Sequence, residues 1–331
     1  MNPFSLARPK DHAATHALLT GRRFSLPLLK GGGMDVVDHL KEGLWKPDVV
    51  IDTRHLRAPG ASAPISKDGQ TIRIEAWATM SEIAASDILL KDAPCVAHAV
   101  GSAASPQVRN VGTAAGNLLQ RPRCWYYRNE QFQCLKKGGG TCFAFEGENK
   151  FHAIFGEGPC YIVHPSNLAP ALCITDAVVH LHGGKRASLP ITDLYHTPDK
   201  GIRTEHNLEP GEIVTHITLS PAPVSGFYAI KEKQSFDWPL AFACAALQLD
   251  GSTIRSARVC AGAVAPVPWL LPGVDAALKG VDLDDDKALR AACAKATEGA
   301  RPLSQNAYKL TMLPVAVRRA VLMAAGKKVE A

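Results

Sequence analysis

A chain of 331 residues, 46% hydrophobic and 21% charged, has the composition of a folded protein and the length of about two domains, which excludes wholesale disorder. Its 37 Lys and Arg stand against 31 Asp and Glu, and the resulting +6 is scattered along the chain, so nucleic acid is not an expected partner. The apolar run from Val315 to Ala325 is broken by Arg318 and Arg319 and falls short of the roughly 18 residues of a membrane helix; no span is expected, and Met1 to Lys30 has neither a continuous apolar core nor a cleavage site of its own.

In chain order, Ser25–Leu29 reads as a strand, Gly31–Gly33 as a turn, Asp35–Lys41 as a short helix and Val49–Ile51 as a buried strand, together a βαβ unit. Thr71–Ala76 alternates as a strand. Thr79–Leu89 has helical spacing behind a Thr79 or Ser81 cap, and the small residues of Cys95–Ala104 suit a tightly packed helix. A polar, Gly-rich stretch follows, from Gln107 to Gly158. Short strands are then predicted at Tyr161–Val163, Ala177–Leu181 and Glu212–Leu219, with a linker at Pro221–Gly226. Beyond it, Phe227–Ile230, Ala241–Leu249 and Ile254–Ala261 read as antiparallel strands, and Val274–Leu278, Asp285–Gly299 and Leu313–Ala325 as helices.

Two glycine segments could approach a phosphorylated ligand closely. In the first, Leu29-Lys30-Gly31-Gly32-Gly33-Met34-Asp35, three residues without Cβ precede a helix N-terminus, which together make an anion cradle. It is not the G-x-G-x-x-G dinucleotide fingerprint, which argues against a self-contained NAD-linked Rossmann enzyme. In the second, Asn110, Gly112, Thr113, Gly116 and Asn117 pair open backbone with short polar side chains. Either alone reads equally well as an ordinary turn.

Four of the nine cysteines, Cys124, Cys134, Cys142 and Cys160, fall in one polar segment with spacing C-x9-C-x7-C-x17-C. Thiolates in such a loop suit a [4Fe-4S] cluster or a structural zinc, with disulfides as a third reading; the wide gaps lack the paired knuckles of zinc sites and favour the cluster, then zinc, then disulfides. Arg121, Arg123, Arg128, Lys136 and Lys137 would offset its negative charge, and Trp125, Tyr126 and Tyr127 could cover a flavin or a cluster edge. The other cysteines lie mostly in apolar runs as buried thiols. His180 and His182 share a strand face but have no third ligand at matching spacing. No acid, base or nucleophile signature is present, so no catalytic residue is assigned and any redox chemistry belongs to cofactors.

The Gly31–Asp35 turn, Ile74–Ile83 with Thr79, Arg109–Asn117, His164-Pro165-Ser166, Leu208–Glu212, Ser235–Leu240 and Leu303–Lys309, in that order, resemble the FAD-binding medium subunit of the xanthine dehydrogenase family of molybdenum hydroxylases. The insertion Gln120–Pro159, above all Leu119–Arg128, is similar to the [4Fe-4S]-carrying flavoproteins of periplasmic aldehyde oxidoreductases, and more distantly to the flavin subunit of aromatic acyl-CoA reductases. The resemblance implies an α+β fold of the vanillyl-alcohol-oxidase type: FAD-binding subdomains over 1–56 and 57–220, an Fe–S loop over 120–160, and a C-terminal α+β domain over 227–331 with a small antiparallel sheet. It adds Ser166, Asn167, Leu172 and Lys231 to the flavin contacts, with Asn167 where the family usually has Asp and Met34 at a common Thr position. It implies an electron-transfer role beside a large molybdenum-cofactor subunit and a small [2Fe-2S] subunit, with an external acceptor and substrates among the aldehydes. A xanthine dehydrogenase-like or acyl-CoA reductase-like complex is the alternative; a non-catalytic Fe–S scaffold is a further one, which the two glycine loops oppose. The location implied is the cytoplasm, or the periplasm by co-export with a signal-bearing partner.

Overall fold

A computed structural model describes residues 2–58 and 60–329. The first unit contains β1 (Ser5–Ala7), α1 (His12–Thr20), β2 (Pro27–Lys30), α2 (Met34–Lys41) and β3 (Val49–Asp52). Its strands form a parallel sheet ordered β1-β3-β2, with the apolar β3 buried at the centre, as a parallel strand covered on both faces requires. The sequence reading missed β1 and α1. What starts α1 is the Asp11 carboxylate, which accepts from the Ala14 N–H at 2.7 Å.

The second unit runs through β4 (Ile65–Asp68), β5 (Thr71–Glu75), seven short helices, α3 (Met80–Ala84), α4 (Asp87–Asp92), α5 (Pro94–Gly101), α6 (Pro106–Arg109), α7 (Ala114–Leu118), α8 (Trp125–Arg128) and α9 (Leu168–Cys173), and then β6 (Val178–His182), β7 (Ser188–Pro190) and β8 (Ile213–Leu219). Its sheet is antiparallel, ordered β4-β5-β8-β6-β7. The single helix expected over Thr79–Leu89 is two, because Ser86 accepts from the Leu89 N–H and begins α4. The strand expected at Tyr161–Val163 does not form; its neighbour His164 donates its N–H to the Ala265 carbonyl at 2.8 Å.

The third unit has β9 (Ser225–Lys231), β10 (Pro239–Asp250), β11 (Thr253–Gly262) and β12 (Trp269–Leu270), followed by α10 (Pro272–Leu278), α11 (Asp286–Ala294) and α12 (Lys309–Ala324). Its antiparallel sheet is ordered β12-β11-β10-β9. β9 begins inside the expected linker, where the Ser225 hydroxyl accepts from the Cys95 N–H at 3.2 Å. α12 starts earlier than expected and carries Pro314 within it.

Period-2 alternation explains why β10 is apolar along most of its length. Phe242 and Cys244 join the core of the second unit with helices α5 and α9, whereas Ala241, Ala243 and Ala245 join the core beneath α10–α12. The sheet is therefore sandwiched between helices, in a mixed α+β fold whose third unit backs onto the second.

Candidate functional site

A cleft of about 910 Å3 is lined by residues of all three units, a volume that fits a large organic ligand. Its floor is backbone. Gly32 lies so close to the second glycine loop that a Cβ there would stand 1.9 Å from the Val111 carbonyl oxygen, and one on Gly31 would meet Thr113 Oγ1 at 2.8 Å. Gly33, with φ +88°, leads into the N-terminus of α2. The two loops thus form one continuous surface.

The second loop is fixed from beneath. Thr79 and Glu82 close a capping box at α3, the Met80 N–H donates to the Gly112 carbonyl at 2.8 Å, and Ala114 N–H donates to Ala78 at 2.8 Å. Thr113 caps α7 by accepting from the Gly116 N–H at 3.2 Å. Three buried polar atoms on cleft residues, Trp77 Nε1, Arg123 Nε and His206 Nδ1, have no protein partner. Open glycine backbone and orphaned polar atoms are the features a bound cofactor such as FAD would satisfy.

Of the residues assigned from sequence, Leu29, Gly31, Gly32, Gly33, Met34, Asp35, Gly112, Thr113, Gly116, Asn117 and Asn167 line this cleft. Five stand elsewhere. Ser166 lies one step behind, its hydroxyl donating to Asn117 Oδ1 at 2.6 Å. Asn110 accepts from the Ser81 hydroxyl at 2.5 Å, and Lys30 pairs with Asp52 at 3.4 Å. Lys231 donates to the Ser102 carbonyl at 2.6 Å, and Leu172 is wholly buried in the core. Even Asp35 is engaged: it accepts from the Arg121 N–H at 2.9 Å and from the Arg128 guanidinium at 2.6 Å. Asn167 donates to the Ala99 carbonyl at 3.1 Å. Sequence reasoning missed Trp45, Trp77, Arg123, His206 and Trp238 in the lining, because nothing in their local pattern points at a cleft.

The segment beyond the second loop gathers Cys124, Cys134, Cys142 and Cys160 around one small cavity, together with Tyr126, Tyr127 and His152. Arg123 lines the cleft and its chain neighbour Cys124 lines this cavity, so the two sites are adjacent. Among the described residues, no three His, Cys, Asp or Glu side chains are grouped as a single metal ion needs. None of the described cysteines is joined in a disulfide. A hydrogen bond from Cys160 pulls the Cys142 thiol down to about 6, and the same contact, with burial, pushes Cys160 up; burial raises Cys124 to about 11. His152, lowered to about 4 by burial and by Lys309, is a neutral ring with Nε2 at 3.3 Å from Cys124 Sγ.

The basic residues expected to balance a cluster are largely committed to carboxylates. Glu205 accepts from Arg121 at 2.8 and 2.9 Å and pairs with the buried Lys136 at 2.7 Å, while Arg123 and Arg128 pair with Asp35 at 3.3 and 2.6 Å. These pairs, with His39 Nε2 and the Tyr127 hydroxyl at 3.0 Å, tie the segment to α2 and to the loop before β8. Gly139 packs so tightly that a Cβ would lie 1.5 Å from the Gln133 oxygen. His180 and His182 meet different rings: His180 stacks on His216 at 4.1 Å, and His182 faces His12 at 5.7 Å.

Residues 2–222 match the family described as "FAD binding domain in molybdopterin dehydrogenase", and 226–324 match the "CO dehydrogenase flavoprotein C-terminal domain". The chain is 32% identical over 319 residues to the aldehyde oxidoreductase FAD-binding subunit PaoB of Escherichia coli, covering 94% of this chain and 95% of that one. It is 26% identical to the carbon monoxide dehydrogenase medium chain of Afipia carboxidovorans, covering 96% and 95%. In fold it superposes on the CO dehydrogenase of Oligotropha carboxidovorans with a TM-score of 0.74 at 23% identity, covering 99% of each chain, and on quinoline 2-oxidoreductase of Pseudomonas putida with 0.73 at 20%, covering 98% and 97%. With the paired glycine loops and the three-unit cleft, these matches establish that the chain belongs to the FAD-binding oxidoreductase subunits of the molybdopterin dehydrogenase family.

Proposed function

We propose that this chain is the FAD- and [4Fe-4S]-carrying electron-transfer subunit of a heterotrimeric aldehyde oxidoreductase. In this reading it works beside a large molybdenum-cofactor subunit and a small [2Fe-2S] subunit and serves an external acceptor. The observation that carries it is the adjacency of a cleft built on open glycine backbone and a cavity lined by four cysteines, joined through the Arg123–Cys124 peptide. FAD and the cluster supply the redox chemistry when bound. The chain's own residues do the rest: Gly31–Gly33 and Gly112–Gly116 admit phosphates to main-chain distance, the aromatic walls Trp45, Trp77 and Trp238 exclude water, and the four thiols offer the donor set of an iron–sulfur cluster. The aldehyde assignment draws on the likeness to PaoB along nearly the whole chain.

Flavin, iron, sulfide and zinc are measured in the anaerobically purified chain, and aldehyde oxidation is assayed with and without both partners. Stoichiometric FAD, about four irons per chain and turnover only in the co-expressed complex are expected. Stoichiometric zinc with no iron would assign the cysteines to a structural site, and aldehyde turnover by the single chain would overturn the relay.

A further inference from the structure

The structure points to a specific job for His152: we propose that it is a positioning residue that donates its one N–H to the Cys124 sulfur and so raises the reduction potential of the iron–sulfur cluster held there. This rests on the [4Fe-4S] reading above. His152 is 3% exposed, with Nε2 3.3 Å from Cys124 Sγ. Its other nitrogen, Nδ1, is buried with no partner. A neutral imidazole has one N–H to place. On Nδ1 it would donate to nothing while the Nε2 lone pair faced the electron-rich sulfur; on Nε2 it meets an acceptor. The contact therefore selects the tautomer that donates to Cys124.

The ring is held with unusual investment from the other end of the chain. Asn306 Nδ2 donates to the carbonyls of His152 and Ala153, both at 3.1 Å, and Lys309 Nζ donates to Phe151 at 3.3 Å. The Tyr308 hydroxyl donates to Lys150 at 2.9 Å, and the Gln305 N–H donates to Asn149 Oδ1 at 2.9 Å. Trp125 sets its edge against the ring at 5.3 Å. The Leu303–Lys309 motif lines neither site and yet fixes the residues that carry this side chain. Cys124 also meets the backbone N–H groups of Tyr126 and Tyr127, which substitution cannot remove; His152 is a donor that it can.

A reduced cluster carries one more negative charge on its iron and sulfur atoms, so a donor to a ligating thiolate stabilises the reduced form more than the oxidised one and raises the potential. The test is a redox titration of the assembled complex followed by electron paramagnetic resonance, with His152→Leu and His152→Gln. Leucine removes the donor, whereas glutamine can present an N–H near the Nε2 position. His152→Leu is expected to disfavour cluster reduction about tenfold, a fall of about 59 mV for one electron, with flavin potential and iron content unchanged; His152→Gln recovers most of the shift. Full iron and an unmoved potential in His152→Leu would overturn the proposal. If that variant loses iron, the wild type decides. With 15N-labelled histidine, a histidine nitrogen coupling in the pulsed spectrum of the reduced cluster supports the bond, and its absence from an iron-loaded protein overturns it. A wild type without iron would overturn the cluster reading itself, a result separable from the other two.

Discussion

The glycine-floored cleft and the cysteine-bearing segment are neighbours built by opposite means. The cleft is backbone against backbone: Gly32 touches the Val111 carbonyl, and capped helix ends clamp the second loop from below. The cysteine segment contains little regular structure, and charged and aromatic side chains staple it to its surroundings: Glu205 with Arg121 and Lys136, Asp35 with Arg128, and the rings of Tyr126, Phe132 and Phe143 about 5 to 6 Å apart. A site made of backbone is sensitive to added atoms. A site made of side chains is sensitive to lost ones.

The largest effects should separate the two regions cleanly. Cys134→Ser or Cys142→Ser is expected to remove the absorbance of the proposed cluster and most of the iron while flavin stays stoichiometric, whereas Cys244→Ser, on β10 but packed into the core of the second unit, leaves iron unchanged. Loss of flavin in step with iron would show that the sites are one cooperative structure. Conversely, Gly32→Val should cost most of the flavin at unchanged iron, because its Cβ would have to displace main chain rather than a side chain. Full flavin in that variant, measured by absorbance after gel filtration, would remove the phosphate assignment.

Glu205→Gln addresses the staples. It leaves Arg121 and the almost wholly buried Lys136 without their carboxylate, and breaking such a buried set costs about 3–5 kcal/mol. Faster hydrogen exchange across residues 133–140 at pH 7, with little change in the C-terminal sheet, is the expected reading. The wild type should show the same loosening in acid. Burial alone would raise the Glu205 pKa, but Arg121 and Lys136 reverse this and hold it below its ordinary value. Its contribution is therefore complete above the unfolded carboxylate value of about 4.3 and is lost as the pH falls through the lower folded value. Protection over 133–140 that is flat through this range would show that other contacts carry the segment.

The smallest effect is expected from Gly116→Val. Its Cβ meets only the Thr113 Oγ1 at 2.9 Å, so it disturbs the α7 cap rather than the loop-to-loop contact, and flavin affinity should fall by less than in Gly32→Val. Equal losses in the two variants would make the helix cap, not the close approach of the loops, the critical feature of the cleft.

Much of this arrangement was legible in the residues themselves. Three glycines before a helix start, a second glycine loop and four cysteines crowded into one polar stretch are local patterns, and local sterics and thiol chemistry give them meaning before any fold is known. The alternating apolar residues of β10 likewise announce a strand. What only the tertiary structure decided is how those patterns are used. Arg121 finds Glu205, 84 residues on, and so is not a free counter-charge; Leu172 points into the core; Lys231 answers the Ser102 carbonyl; and His152 reaches Cys124 because residues near the C-terminus hold its backbone. A side chain's partner is set by which distant segment packs against it, and one-dimensional spacing carries that information only within a turn of helix or a strand pair. The types of residue needed at the two sites were therefore written locally, while the division of labour among them depended on closing the chain.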